Sequence, residues 1–358
     1  MTPPPPPPAP DAVAGSPRGL DLEAFAQWYE GERPGELAGP LRGELIAGGR
    51  SNLTYTVTDG RRRFVVRRPP LGHVQATAHD MGREYRVMSA LAGSSVPVPQ
   101  TYASCPDPDI VGAPFYVMEQ VPGRAIRDAQ ELDALGTHET ERIVRDLVAV
   151  LVALHEVDPD AVGLGDLGRP AGFLGRQVKR WGQQLDGSRS RDLPDADTLV
   201  ARLADHVPPD GAPGIVHGDY RLDNLLVDPA ASGRPVLAVV DWEMATLGDP
   251  LTDLALLVVY DTIASLGGSD TGLVSNVSLA AGYPDADTKL QWYAEARGRE
   301  LPDLSFHLGL AYFKLAVILE GIHFRFTQGQ TLGEGFEAIG EAVAPLLAAG
   351  LDVTRDLR

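Results

Sequence analysis

The chain has 358 residues, with 31 Lys and Arg against 49 Asp and Glu, giving a formal net charge of −18 and an isoelectric point of about 4.8. So acidic a balance argues against nucleic acid and anionic membrane surfaces as partners, because both need a basic face. The length suits two units of roughly 100–200 residues each, and a single cysteine, Cys105, excludes an internal disulfide framework and a cysteine-based zinc site.

Residues 1–18 form a proline-rich head, with Pro3 to Pro8 in one run. Such a segment has little apolar surface and is expected to be extended or disordered. It lacks a basic start followed by an apolar stretch, so no leader is read and a cytoplasmic location is expected. No apolar run is read as reaching the roughly 18–20 residues of a membrane helix. Asp21 reads as the N-cap of a helix starting at Leu22. Strands are expected over 41–46, 53–58 and 64–67, with Asp59-Gly60 as a hairpin signal between the last two. A helix is expected over about 76–91, where Met81, Tyr85, Met88 and Leu91 recur near helical spacing. Two more strands follow at 100–104 and 114–119. From Glu131 onward helices dominate, at 137–156, 172–186, 195–206, 286–298, 303–327 and 334–349. Short β segments interrupt them at 214–217, 225–227 and 236–240. The reading is α+β, with a small β-rich lobe over 19–122 and a larger, mostly helical lobe over 123–358.

The most informative stretch is His217-Gly218-Asp219-Tyr220-Arg221-Leu222-Asp223-Asn224, of the form H-x-D-x-x-x-x-N. Asp241-Trp242-Glu243 follows the strand at 236–240. Phosphoryl transfer from a nucleotide needs a carboxylate to orient the attacking hydroxyl and accept its proton. It also needs an amide oxygen and a second carboxylate to hold Mg²⁺ against the triphosphate. These groups belong on rigid loops, because catalysis here is mainly positioning and charge neutralisation. Asp219, Asn224 and Asp241 are of the right types in the right order. Each piece alone is common; their joint occurrence beside short β segments points to a kinase.

These two stretches resemble the aminoglycoside phosphotransferase and choline-kinase-like superfamily, which has the protein-kinase-like two-lobed fold. So do Gly48-Gly49-Arg50-Ser51-Asn52-Leu53-Thr54-Tyr55, Phe64-Val65-Val66-Arg67-Arg68-Pro69-Pro70 and the stretch from Ala78 to Val87. Within the superfamily the likeness is to the phosphotransferase domain fused to some acyl-CoA dehydrogenases, and it spans about 20–350. By position, the resemblance implies Asp219 as the catalytic aspartate, Asn224 and Asp241 as Mg²⁺ ligands, and ATP as the donor. Gly49, Ser51 and Asn52 would offer N–H groups and a hydroxyl to phosphates; the other reading of this stretch is a plain hairpin turn. Side chains alternate along a strand, so Val65 and Arg67 share a face. Val65 would touch the adenine. Arg67, where a lysine is usual, would touch the phosphates and pair with Glu84 on the next helix. Which of Arg67 and Arg68 reaches phosphate stays open, as does the reading in which both are only solvated. Met118-Glu119-Gln120-Val121 resembles the connector whose backbone, at Glu119 and Val121, would bond the adenine edge.

His217 reads as a structural group bonding backbone near the metal-binding Asp, and Asp253 as a cap or acceptor for the catalytic loop. Arg221 and Asp223 face either substrate or solvent. Tyr312, Lys314, Glu320, His323 and Arg325 share a late helix that packing explains as well as an acceptor pocket does. Between Asp241 and Asp253 there is no room for a protein kinase's activation segment. The expected function is an ATP-dependent small-molecule kinase acting on a metabolite hydroxyl, here a hydroxy acid or hydroxyacyl-CoA. The alternatives are an antibiotic phosphotransferase for an aminoglycoside or macrolide, and a catalytically inactive kinase-like binding module.

Overall fold

The computed structural model describes residues 16–46, 52–71, 80–265, 275–330, 336 and 339–357. One compact unit takes the described residues up to Ser89 together with Pro99–Gln120; a larger one takes Ala90–Val98 together with Val121 onward. The sequence reading sets the boundary between its two lobes at 122. Residues 90–98 group with the larger unit, where the Val239 N–H donates to the Pro97 carbonyl (2.8 Å) and Arg234 to the Ser95 carbonyl (3.2 Å).

In the smaller unit, helix α1 (Leu22–Glu32) starts where the Asp21 carboxylate accepts the N–H groups of Glu23 and Ala24. Strands β1 (Arg42–Leu45), β2 (Leu53–Thr58), β3 (Arg63–Arg68), β4 (Thr101–Cys105) and β5 (Phe115–Glu119) form one antiparallel sheet in the order β1-β2-β3-β5-β4. The β2–β3 hairpin turns at Asp59-Gly60. There the Asp59 carboxylate accepts the N–H groups of Arg61 and Arg62, and Gly60 takes φ +89°. One face of the sheet packs on α1: Phe25 lies 5.7 Å from Phe115, and Tyr29 stacks 5.5 Å from Phe64. Phe64 and Val66 belong to this core, and the pleat puts Val65 and Arg67 on the opposite face. Helix α2 (Met81–Leu91) is described from Met81; residues 76–79 of the expected helix lie outside the described residues. Ser16–Arg18, read from sequence as part of the extended head, are bonded into this unit. Ser16 accepts the Leu22 N–H, and Tyr55 donates to the Arg18 carbonyl.

The larger unit holds α3 (Ala129–Asp133), α4 (Thr137–His155), α5 (Phe173–Ser188), α6 (Pro194–Asp205), α7 (Leu251–Ser265), α8 (Ala286–Arg297), α9 (Ser305–Thr327) and α10 (Val343–Val353). Two antiparallel strand pairs lie among them: β6 (Gly214–Val216) with β9 (Thr246–Gly248), and β7 (Leu225–Val227) with β8 (Val236–Val239). Helices α5, α6, α7, α9 and α10 share one core that includes Trp181, Leu199, Leu256, Phe313 and Leu346.

Sequence periodicity misses α7 and β9. Helix α7 is buried at every position from Asp253 to Val259, so it has no amphipathic stripe to detect. Of the helix expected over 334–349, residues 334, 335, 337 and 338 lie outside the described residues; Ile339–Ala342 form a 3₁₀ turn and the α-helix runs from Val343. Helix α9 corrects the reading that no run reaches membrane-spanning length: its 23 residues are long and apolar enough by length and composition. Most of it is buried within the larger unit, where Phe306, Leu310, Phe313 and Leu319 join the common core.

Candidate active site

Strand β6 runs directly into His217 and Gly218, and a 3₁₀ turn over Leu222–Asn224 leads into β7. Leu225 pairs with Val239 across the β7–β8 ladder, and the Val240 N–H donates to the Asn224 carbonyl at 2.9 Å. Asn224 is thereby held opposite the residue that precedes Asp241. The Asp219 carboxylate is bonded at both oxygens. Asn224 Nδ2 donates to Oδ2 (3.0 Å) and also to the Asp219 carbonyl (2.8 Å); the Tyr260 hydroxyl, from α7, donates to Oδ1. Burial and the charge of Asp219 push the Tyr260 phenol well above its ordinary value, so it stays a donor at neutral pH. Asp219, Asn224 and Asp241 are each half-buried.

The loop carrying Asp219 is tied down on several sides. Asp253, in the first turn of α7 and buried, accepts the His217 N–H at 2.6 Å and the Gly218 N–H at 2.8 Å. Burial alone would raise its carboxyl, but His155 and the Gly218 N–H outweigh that and hold it below the ordinary value. The His217 ring bridges the loop to the end of β8. Its Nε2 donates to the Val240 carbonyl (3.1 Å) and its Nδ1 accepts the Asp219 N–H (3.2 Å), the pattern of the neutral Nε2–H tautomer. Tyr220 donates to the Leu147 carbonyl on α4. Lys314, on α9, donates to the Gly218 carbonyl at 2.6 Å. Its ammonium is lowered by burial, against the pull of Asp219 and Asp253. Gly218 sits at φ +85°, and a Cβ there would lie 2.9 Å from both Cβ and the carbonyl oxygen of Met244. Arg221 pairs with Asp223, and its guanidinium carbon lies 4.5 Å above the Tyr260 ring.

Asp241 is the sole non-glycine at positive φ among the described residues, at φ 68° and ψ 58°. The left-handed region costs an L residue about 1–2 kcal/mol, and such strain gathers at functional sites. With Nδ2 committed to Asp219, Asn224 has its amide oxygen to offer; together with the Asp241 carboxylate it makes a hard-oxygen donor set of the kind Mg²⁺ takes.

In the smaller unit Glu84, fully buried on α2, is a hub. Its Oε2 lies 3.3 Å from Arg67 Nε and accepts the Tyr116 hydroxyl at 3.0 Å, and its Oε1 accepts Asn52 Nδ2 at 3.3 Å. Arg67 and Tyr116 are paired in the β3–β5 register. The solvated reading of the two arginines is overturned: Arg67 is 9% exposed and Arg68 4%. Arg68 faces the other side, where its guanidinium donates to the carbonyls of Gly19, Val111 (2.8 Å) and Pro69 (3.2 Å). Val65 is buried on the Arg67 face. Glu119 closes β5 with its N–H on the Gln100 carbonyl, and Val121 opens the larger unit's second segment. Gly49 and Ser51 lie outside the described residues. Tyr116 and Tyr260 escaped the sequence reading. Alternation along β5 puts Tyr116 on the face of Met118, opposite Arg67, but nothing periodic singles out Tyr260. Of the late-helix residues, Tyr312 bonds Thr262 (3.2 Å) and Glu320 holds Ser190 and Arg191.

A family model described as a phosphotransferase enzyme family matches residues 42–300. The chain belongs to this phosphotransferase family. The phosphotransferase chain is 35% identical over 328 residues to acyl-CoA dehydrogenase family member 11 of Gallus gallus, covering 90% of this chain and 42% of that protein. It is 32% identical over 312 residues to acyl-CoA dehydrogenase family member 10 of Mus musculus, covering 87% of this chain and 29% of that one. The chain thus spans well under half the length of these two relatives. A solved Ralstonia eutropha structure, named as a "putative aminoglycoside phosphotransferase", is 35% identical with a TM-score of 0.81, covering 95% of this chain and 99% of that one. The GDP complex of aminoglycoside 2'-phosphotransferase-IIIa, 14% identical with a TM-score of 0.59, shares the kinase-like fold.

Proposed function

We propose that this phosphotransferase is an ATP-dependent kinase that transfers the γ-phosphoryl group to a hydroxyl of a small metabolite, a hydroxy acid or a hydroxyacyl-CoA. The observation that carries the reading is the Asp219 carboxylate, bonded at both oxygens and fixed beside Asn224 on the ladder that leads into Asp241. In this reading Asp219 orients the acceptor hydroxyl and takes its proton as the new O–P bond forms and the bond to the leaving ADP breaks. Asn224 and Asp241 hold Mg²⁺, which when bound neutralises charge on the phosphates. Arg67, directed by Glu84, meets the phosphates; Gly49, Ser51 and Asn52 add donors; Val65 packs on the adenine; the backbone of Glu119 and Val121 bonds its edge.

Nucleotide use is supported by structural neighbours solved with GDP, and with ADP and hygromycin B. An acyl-CoA acceptor is supported by relatives named as acyl-CoA dehydrogenase family members. One observation favours an antibiotic acceptor instead, the likeness to the Ralstonia eutropha chain named for aminoglycosides. The test is ADP release from Mg²⁺-ATP across a panel of hydroxy acids, hydroxyacyl-CoAs, aminoglycosides and macrolides. Turnover of a hydroxy acid or hydroxyacyl-CoA is expected, lost in Asp219→Ala while the nucleotide-induced thermal shift persists. Turnover of antibiotics alone moves the assignment to the second reading. No turnover and no nucleotide-induced shift leaves a binding module.

A further inference from the structure

We infer that Tyr260 is a positioning residue for Asp219, holding the carboxylate in the plane that receives the acceptor hydroxyl; the inference rests on the role proposed above for Asp219. The terminal torsion of an aspartate is broad, whereas a base must hold its oxygen within about 2.6–3.2 Å of the hydroxyl oxygen whose proton it takes. Asn224 anchors Oδ2 only, and one anchored oxygen leaves the other free to swing. The Tyr260 hydroxyl anchors Oδ1, and two anchors define the plane. A carboxylate has about four lone-pair sites, so the acceptor hydroxyl still finds one.

The anchor is itself rigid. Tyr260 lies seven residues after Asp253 on α7, and i and i+7 fall on one face of a helix. One face of a helix sunk in the core therefore holds both the backbone of the loop, at His217 and Gly218, and the carboxylate on it. The phenol is fixed in turn by the Arg221 guanidinium over its ring, and Arg221 by Asp223. The Tyr260 hydroxyl donates to Asp219 from 41 positions away in sequence, a bond that packing of the ring alone does not require.

The experiment compares the full chain with Tyr260→Phe, which deletes the hydroxyl and keeps the ring. ADP release from Mg²⁺-ATP is followed with 3-hydroxybutyryl-CoA as the acceptor probe and with water as acceptor. A fall in kcat of about tenfold or more is expected, with KM for both substrates within about twofold and no change in melting temperature. An unchanged or raised kcat overturns the inference, the latter because the phenol would then be competing with the acceptor. So does a raised KM for the thioester at unchanged kcat, which marks substrate binding. The double variant Asp219→Asn/Tyr260→Phe decides if Tyr260→Phe also loses stability. It should be no slower than Asp219→Asn alone, because the phenol acts only through the carboxylate; multiplied losses overturn that. Wild-type turnover in Asp219→Asn removes the base assignment itself. Loss in Asp219→Asn with a normal Tyr260→Phe removes the role of Tyr260 alone.

Discussion

Asp241 and Gly218 both occupy left-handed backbone, for different reasons. At Gly218 the requirement is steric: φ is +85° and Met244 fills the place of a Cβ. Gly218→Ala is expected to lose about 1–3 kcal/mol in urea unfolding together with most of the phosphotransfer rate. At Asp241 the residue is tolerated in αL but strained. Asp241→Asn keeps the shape and the αL tolerance while removing the charge. Its melting temperature should stay within a few degrees of wild type, while the Mg²⁺-dependent, nucleotide-induced thermal shift is lost. The two neighbouring arginines separate in the same way. Arg68→Met leaves the Gly19 and Val111 carbonyls without their donor and should destabilise by about 1–3 kcal/mol, with the KM for ATP unchanged. Arg67→Lys keeps a cation beside Glu84 but loses the planar fork; it should raise the KM for ATP several-fold with little loss of stability.

Helix α7 is the element on which the candidate site depends most, and it was the least legible in sequence. Amphipathic helices such as α4 and α5 announce themselves because one face meets water and the other the core. Helix α7 is covered nearly all round, so its polar residues stand in an apolar run with no period. Asp253 carries its link to the loop, and that link is pH-dependent. Its folded value lies below the ordinary 3.8, so its contribution is fully present above that value and is lost as pH falls through the lower, folded one. Asp253→Asn, which weakens the charge-assisted bonds from the His217 and Gly218 N–H groups, should cost about 1.5–3 kcal/mol at pH 7. The gap to wild type should close as denaturation is repeated below pH 4. A constant gap would mean that Asp253 acts through shape rather than charge.

At the scale of the molecule, the charge of −18 opposes compaction and repels a triphosphate. Screening lengths fall from about 30 Å at 0.01 M salt to about 10 Å at 0.1 M. The melting temperature should rise as NaCl is raised across that range; a fall would mean that local ion pairs outweigh the net repulsion. The larger unit's core also accounts for α9, whose length and apolarity alone would suit a membrane span. Burial against α5, α6, α7 and α10 uses that apolar surface instead.

The amino-acid sequence alone determined the α+β class, most half-buried strands and helices, and the candidate stretch from His217 to Asn224. Those features are written in short-range order: alternation by two, recurrence by 3.6, and spacing along one loop. The pleat put Arg67 on the face of Val65, the family resemblance implied its pairing with Glu84, and Asp253 was read as bonding the loop; the structure has both contacts. Tertiary structure decided that Arg68 meets the Gly19 and Val111 carbonyls, and it brought Tyr260 and Lys314 to the loop across 41 and 96 residues. The physical reason is that local periodicity records only whether a side chain meets core or water. Which polar groups meet one another is set by how buried helices pack, and a helix buried on all sides leaves no periodic trace of its neighbours.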